Sequence, residues 1–377
     1  MRPRRLLILV NDAAFFVSHR LVLAVEAQRA GYDVHVATGP GAASATITAA
    51  GLQHHVLPIS RSGSNPVTEL RALAAIAALY RRLRPDIVHL VTIKPVLYGG
   101  LLARQMRVPR VVAAISGFGF VFLSRGWRAS VRRRLVIALY RRALRHRRIA
   151  MIFQNPQDRA DMLRHVGLDA ANTVLIAGSG VDVRLFGPPT RDPAVPVVVM
   201  AARLLVDKGV REFLEAAMRL QKRGINARFQ LAGTTDPGNP ASMSDAEIAR
   251  CRESGVVEVL GHVGDIPALF SKADVVVLPS YREGLPKVLA EAAAAGAAVV
   301  TTDVPGCRDA TVPGVTGLLV PSGDSAALAD AIASLVIDRA RCARMGEAGR
   351  ELAQQRFSLD HVIAEHLRVY ESLFVSA

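Results

Sequence analysis

The run Asp274 to Pro279, DVVVLP, and the stretch after it, Ser280 to Gly296, SYREGLPKVLAEAAAAG, constrain this chain more than any other segment. An unbroken apolar run of that length reads as a buried parallel strand. A short turn follows, and Pro286 can open a helix as its first residue. Alanines and leucine fill that helix, and Gly296 can end it in a left-handed conformation. A turn is thereby set where a strand's carboxyl end meets a helix's amino end, the usual ligand crevice of an open α/β sheet.

Two carboxylates bracket the turn. Glu283 precedes the helix and Glu291 lies a little over one turn inside it. Eight residues advance about 12 Å along an ideal helix, too far to share a proton, so a hydrolase-style acid–base pair is excluded. The separation suits two parts of one extended ligand. Between the carboxylates, the backbone of Gly284 to Val288 and the positive helix end favour an anion. A sugar nucleotide has hydroxyls at both ends and a diphosphate between them. For a lone glutamate, a surface loop or an ordinary helix carboxylate is the plainer account.

The rest of the chain repeats the same strand-then-helix alternation. Strand-like runs are expected at 5–10, 33–38, 54–58, 86–91, 110–115 and 149–154, with helices at 20–30, 67–83, 96–106 and 128–147 between them. A proline-rich break, FGPPTRDPAVP at 186–196, reads as a linker. Beyond it come strands at 197–202, 227–232, 256–260, 274–279 and 298–302, with helices at 210–223, 265–273, 286–295, 325–337 and 339–356. The expected architecture is α/β, two doubly wound, Rossmann-like domains of parallel sheet. Their expected spans are 1–187 and 188–360, with a closing helix in 361–377 that could cross back to the first domain. Such a pair of domains fits a nucleotide-sugar transferase, an epimerase, or a hinge-type binding protein.

Charge divides the chain unevenly. Residues 1–190 carry a net charge of +18 and residues 191–377 a net charge of −3. A basic half fits an anionic membrane surface or nucleic acid, but no aromatic stacking platform or nucleic-acid motif accompanies the arginines. Cys251, Cys307 and Cys342 are isolated, which fits a reduced cytoplasmic compartment. No run approaches the roughly 20 apolar residues of a spanning helix. The basic start resembles a signal peptide, yet Asn11 and Asp12 cut its apolar run too early. Neither an Asp-x-Asp pair nor a His/Cys cluster marks a metal site, and no cofactor is implied.

Taken together, the motifs of the second half resemble the retaining glycosyltransferases of family 4, which have the GT-B fold, two Rossmann-like domains facing across a cleft. The resemblance is densest from Met200 to Val320. Arg203, after the strand MAARL, and Lys208, in DKG, match the family's pair that grips the donor diphosphate. A guanidinium fork and an ammonium point charge suit that task. Glu283 and Glu291 match the family's two glutamates separated by seven residues. The resemblance places Glu283 at the donor sugar's hydroxyls and Glu291 at the ribose hydroxyls. It sets the backbone of Gly284, Leu285, Pro286 and Lys287 against sugar and phosphate, and His262 and Val263 at the base. The segment Gly178 to Asp182 with Phe186 resembles a structural one before the family's linker.

The first half departs from the commonest family form. Asn11-Asp12-Ala13-Ala14 stands where many members carry a glycine pair, and Ser116-Gly117 stands where many carry a histidine. With Ser60 to Pro66 and Lys94-Pro95, these departures resemble transferases acting on lipid-linked sugars in bacterial glycan assembly. What this implies is a UDP-sugar donor, an undecaprenyl-diphosphate-linked sugar acceptor, and a cytoplasmic enzyme bound peripherally to the inner face of the membrane. His19, Arg20, Arg61 and Lys94 are candidate acceptor contacts, while His89 reads as a core histidine. The stretch 124–148, with ten arginines, would lie on anionic lipid. The alternatives are a UDP-sugar epimerase, which needs no acceptor, and a noncatalytic nucleotide- or lipid-binding module.

Overall fold

The computed structural model describes residues 2–60, 65–115, 127–192, 194–236 and 238–375, leaving aside the side chains of 127–132. Arg61, Ser116 and Gly117, expected at the site, lie outside the described residues. The chain forms two compact units, residues 1–179 with 363–377 and residues 180–362. The stretch expected to be a linker is thus held inside the second unit. Phe186 is buried, and Arg350 donates to the carbonyls of Phe186 and Gly187 at 2.7 and 3.0 Å.

The first unit contains a parallel sheet of seven strands: β1 (Arg4–Val10), β2 (Tyr32–Thr38), β3 (Gln53–Val56), β4 (Ile87–Val91), β5 (Val111–Ile115), β6 (Ile149–Phe153) and β7 (Thr173–Leu175). Their order is β3-β2-β1-β4-β5-β6-β7. The second unit has six: β8 (Val197–Ala201), β9 (Arg228–Ala232), β10 (Val257–Gly261), β11 (Val275–Leu278), β12 (Ala298–Thr302) and β13 (Gly317–Val320), in the order β10-β9-β8-β11-β12-β13. Leu6 to Val10 and Val275 to Val277 are fully buried, as helices on both faces of a parallel sheet require. Strand order reverses beside the opening strand of each unit, between β1 and β4 and between β8 and β11. These are the switch points where loops diverge and leave a crevice.

Helices pack where their apolar period meets the sheet. In Val210–Lys222 the buried residues are Val210, Phe213, Ala216, Ala217 and Leu220, one stripe at helical spacing. Several elements fall outside the sequence expectation. The edge strands β7 and β13 have three and four residues, too short to show a period. Pro156–Val166 forms a helix that Asn155 caps by accepting the Asp158 N–H at 2.8 Å and Gly167 ends at φ +73°. The expected helix at 20–30 forms as Leu21–Arg29, and a second short helix, Ala13–His19, precedes it, the two broken at Arg20.

The short helix sets the position of His19 and Arg20, expected at the start of the first helix and close after β1. His19 ends the seven-residue helix and Arg20 follows it, and about 10 Å of helical rise carries them away from the end of β1. Arg20 is buried, its Nη1 donating to the His19 carbonyl at 2.9 Å. Burial pushes its pKa down to about 10. His19 stacks on Phe15 with ring centroids 4.2 Å apart. The closing helix, Leu359–Val375, packs its last turns in the first unit. There Tyr370 Oη and His89 Nδ1 lie 2.7 Å apart, and Tyr32 Oη donates to Glu371 at 2.7 Å. His89 is a core residue whose pKa burial holds well below the usual imidazole value.

One residue of the first unit stands out in its backbone. Thr92, directly after β4, has φ +74°. For a β-branched residue that conformation costs about 1–3 kcal/mol and persists only where surrounding structure enforces it.

Candidate active site at the β8/β11 switch point

The expected diphosphate cations and Glu283 come from loops on neighbouring strands, and Glu291 from the helix that follows the second loop. Ala202 to Gly209 leaves β8, and Pro279 to Pro286 leaves β11. The loops touch through their backbones. Gly209, at φ +76°, approaches Pro279 so closely that a Cβ would sit 2.1 Å from its carbonyl oxygen. Tyr281 N–H donates to the Asp207 carbonyl at 2.9 Å, and Tyr281 Oη reaches Glu212 at 2.6 Å. Only glycine fits at 209, so this small residue fixes the spacing of the charged groups on either side.

Lys208 and Glu283 form a largely buried ion pair through Nζ and Oε1. The same Oε1 accepts from Ser280 Oγ at 2.8 Å, and Ser280 itself is fully buried. Both recorded contacts fall on one carboxylate oxygen, and Oε2 has no partner among the described residues. A carboxylate held by one oxygen keeps the lone pairs of the other for a ligand.

Arg203 pairs with Asp236, from the loop after β9, at 2.7 Å and is half exposed. Glu291 pairs with Lys287 one turn earlier on the same helix, at 3.3 Å. Burial raises the Glu291 pKa above the usual carboxylate value, against the opposing pull of Lys287. The helix itself runs Lys287–Ala294, and Pro286 is its N-cap rather than its first residue, with ψ 121°. Pro286 therefore brings no N–H to the turn. Its N-cap makes no side-chain cap bond, and the first-turn N–H groups point out of the helix end. His262 is exposed and Val263 half-buried in the loop after β10, while Leu285 is buried.

A third loop, after β12, supports the Glu283 turn from behind and was not foreseen from the sequence. Gly306, at φ +84°, leaves no room for a Cβ, which would lie 2.6 Å from both the Glu283 and Gly284 carbonyl oxygens. The Pro305 carbonyl accepts the Glu283 N–H at 3.2 Å, and Asp309 accepts the Gly306 N–H at 2.9 Å. Cys307 is buried beside this turn. Burial first, then the Glu283 charge, pushes its thiol up to about 12, so it stays protonated. The signal available in the sequence was Asp303-Val304-Pro305-Gly306 directly after a strand, a strand-end turn like that of Glu283.

Of the expected acceptor contacts among the described residues, Lys94 is engaged at the other switch point. Its Nζ pairs with Glu69 at 2.6 Å, and Tyr98 donates to the same carboxylate at 2.7 Å.

The family description Glycosyl transferases group 1 matches residues 186–352, and Glycosyl transferase 4-like matches residues 5–155. The chain is 30% identical over 336 residues to N,N'-diacetylbacillosaminyl-diphospho-undecaprenol alpha-1,3-N-acetylgalactosaminyltransferase of Campylobacter jejuni, covering 85% of this chain and 86% of that protein. Among solved structures, sucrose-phosphate synthase from Thermosynechococcus elongatus superposes with a TM-score of 0.81 at 22% identity, covering 99% of this chain and 100% of that one. HepE from Anabaena, in complex with UDP, gives 0.78 at 18% identity, covering 98% and 100%. The sheet orders, the matches to both halves and the near full-length relative establish that the chain belongs to these group 1 and 4-like transferases and is a glycosyltransferase of the GT-B fold.

Proposed function

We propose that the enzyme moves a hexose or N-acetylhexosamine from a UDP-sugar to an undecaprenyl-diphosphate-linked sugar, with retention of configuration, in bacterial surface polysaccharide or glycan assembly. The observation that carries this reading is the pairing of Lys208 with Glu283 across the β8/β11 switch point. It sets a diphosphate-binding cation beside a carboxylate suited to sugar hydroxyls. The Campylobacter relative is named for a lipid-linked acceptor, and HepE was solved with UDP and with UDP-glucose; both support the choice of substrates.

In this account Lys208, Arg203 and the positive amino end of the helix hold the diphosphate and stabilise its charge as the sugar–phosphate bond breaks. Arg203 can leave Asp236 for phosphate at little cost, because exposed pairs contribute only about 0–1 kcal/mol. The free Oε2 of Glu283 accepts from a donor-sugar hydroxyl, Glu291 accepts from the ribose, and His262 and Val263 border the base, with Gly284 and Leu285 shaping the turn. The acceptor oxygen bonds to the anomeric carbon on the face the diphosphate leaves, and its proton passes to a leaving phosphate oxygen. No protein base is then needed.

The raised pKa of Glu291 gives a pH signature. Hydroxyls donate to the ionised carboxylate, so bound ribose lowers its pKa relative to the free enzyme. UDP affinity therefore rises with pH across the interval between the two values and falls as the free-enzyme carboxylate takes up its proton. Calorimetric titration of UDP at falling pH should show this weakening on top of that from the UDP phosphate, whose second pKa is about 6, and Glu291→Gln should remove the Glu291 contribution. The same pH dependence in wild type and Glu291→Gln contradicts the role given to Glu291.

Docking on the inner face of the cytoplasmic membrane is part of the same proposal. No helix among the described residues is long and apolar enough to cross a membrane. In the helix Trp127–Ala143, Tyr140 and Ala143 are buried while Leu135 and Leu139 are exposed, among the exposed arginines 134, 141 and 142. Apolar side chains flanked by cations on an outward face suit the boundary of an anionic bilayer. Each near-surface arginine contributes about 1 kcal/mol, so replacing Arg134, Arg141 and Arg142 by Gln should weaken binding to phosphatidylglycerol-containing vesicles by about 100-fold. Equal sedimentation with vesicles before and after would remove this surface from the account. The substrate assignment itself is tested by acceptor-dependent release of UDP.

A further inference from the structure

The strained Thr92 sits at the switch point of the first unit, between β1 and β4. It is the N-cap of the helix Ile93–Gln105, yet it makes no side-chain cap bond. A threonine at this position ordinarily accepts a helix N–H through its hydroxyl. Here the hydroxyl turns away and donates to Asn11 Oδ1 at 2.9 Å. Two stabilising choices, a relaxed φ and a helix cap, are both forgone at one residue, and what replaces them is a fixed orientation of the Asn11 carboxamide.

Asn11 is the first residue after β1, and its backbone is held as firmly as its side chain. A Cβ on Gly39, after β2, would lie 2.6 Å from the Asn11 carbonyl oxygen and 2.4 Å from that of Ile59, after β3. Three strand-end loops thus meet backbone to backbone. With Oδ1 occupied by Thr92, the half-buried carboxamide keeps its Nδ2 donors without a partner among the described residues. Lys94, on the same side of the sheet, is already engaged by Glu69 and Ser60. Asp12 accepts the Phe15 N–H through Oδ1, so its carboxylate serves as the cap of the helix that follows. A carboxamide donor held in one orientation matches a hydroxyl oxygen, which accepts through its lone pairs.

We propose that Asn11 is a specificity-determining residue that donates to a hydroxyl oxygen of the acceptor sugar, and that Thr92 is the positioning residue that sets its carboxamide. The assignment rests on the transferase reading above and adds to it a recognition group in the first unit. Strain concentrated at a ligand crevice is how a fold holds a polar group in one orientation.

The experiment uses full-length enzyme with a polyprenyl-diphosphate-linked N-acetylhexosamine as acceptor and measures kcat/KM for that acceptor, Kd for UDP, and Tm. Asn11→Ala, Asn11→Asp and Thr92→Val should each lower acceptor kcat/KM by about 5- to 30-fold, the factor a lost hydrogen bond of ordinary strength produces. UDP Kd should stay within twofold. Thr92→Ser, which keeps the hydroxyl, should recover most of the loss. Thr92→Gly should raise Tm by relieving the backbone yet lose as much kcat/KM as Thr92→Val, a split that a purely structural threonine would not give. Acceptor kcat/KM within twofold of wild type in Asn11→Ala or Thr92→Val overturns the assignment. If Asn11→Ala fails to fold, the contrast between Thr92→Val and Thr92→Ser decides it. A wild-type enzyme that transfers to no acceptor rejects the underlying transferase substrates, and the assignment with them.

Discussion

Glu283→Gln should lower kcat by about 100- to 1000-fold, the range seen when one preorganised electrostatic contact at a reacting centre is removed. UDP affinity should remain within a few-fold of wild type. The carboxylate is set in place by Ser280 and Lys208 on one oxygen, so a glutamine of equal size can occupy the same space. Its amide lacks the negative charge that strengthens a bond from a sugar hydroxyl and that balances Lys208 as the diphosphate departs. The contact is to the sugar rather than to the nucleotide, which is why turnover and UDP binding should separate. Single-turnover rates beside UDP calorimetry measure both, and kcat within threefold of wild type would remove Glu283 from the reacting centre.

Lys208→Met should be as damaging and differ in character, lowering kcat/KM by about 100- to 1000-fold and weakening UDP as well. Methionine preserves the apolar stem and removes the charge. Two effects then coincide. The leaving diphosphate loses its most buried cation, and Glu283, with 11% of its side chain exposed, is left without its counter-charge. Because the two residues act through one ion pair, their losses are not independent. The double variant Lys208→Met/Glu283→Gln should be much less impaired than the product of the single effects requires. Strict multiplicativity would show that the pair has no catalytic coupling.

The sequence exposed the strand-to-helix turn at 280–296 because its parts are local: an apolar run, a proline, an alanine-rich helix and two carboxylates at fixed spacing. Buried parallel strands such as β1 and β11 were legible for the same reason. What was hidden depends on long-range contact. Gly306 matters because of two carbonyls more than twenty residues earlier in the chain, and Asp236 because Arg203 reaches it from another strand end. Arg20 had the composition of a ligand contact, but a seven-residue helix before it moved it into the interior beside His19. Pro286 shows the limit at a single position. Proline signals the start of a helix well, but only the observed ψ separates an N-cap from a first helical residue. Edge strands β7 and β13 carried too few residues for any period to appear.

The most direct measurement is UDP release from a panel of UDP-sugars, with and without undecaprenyl-diphosphate-linked sugars, followed by the anomeric configuration of the product by NMR coupling. The account predicts that release from one UDP-hexose or UDP-N-acetylhexosamine depends on a lipid-linked acceptor and that the new bond keeps the α configuration of the donor. Release that ignores the acceptor, an isomerised UDP-sugar formed without one, or a product of inverted configuration would contradict it.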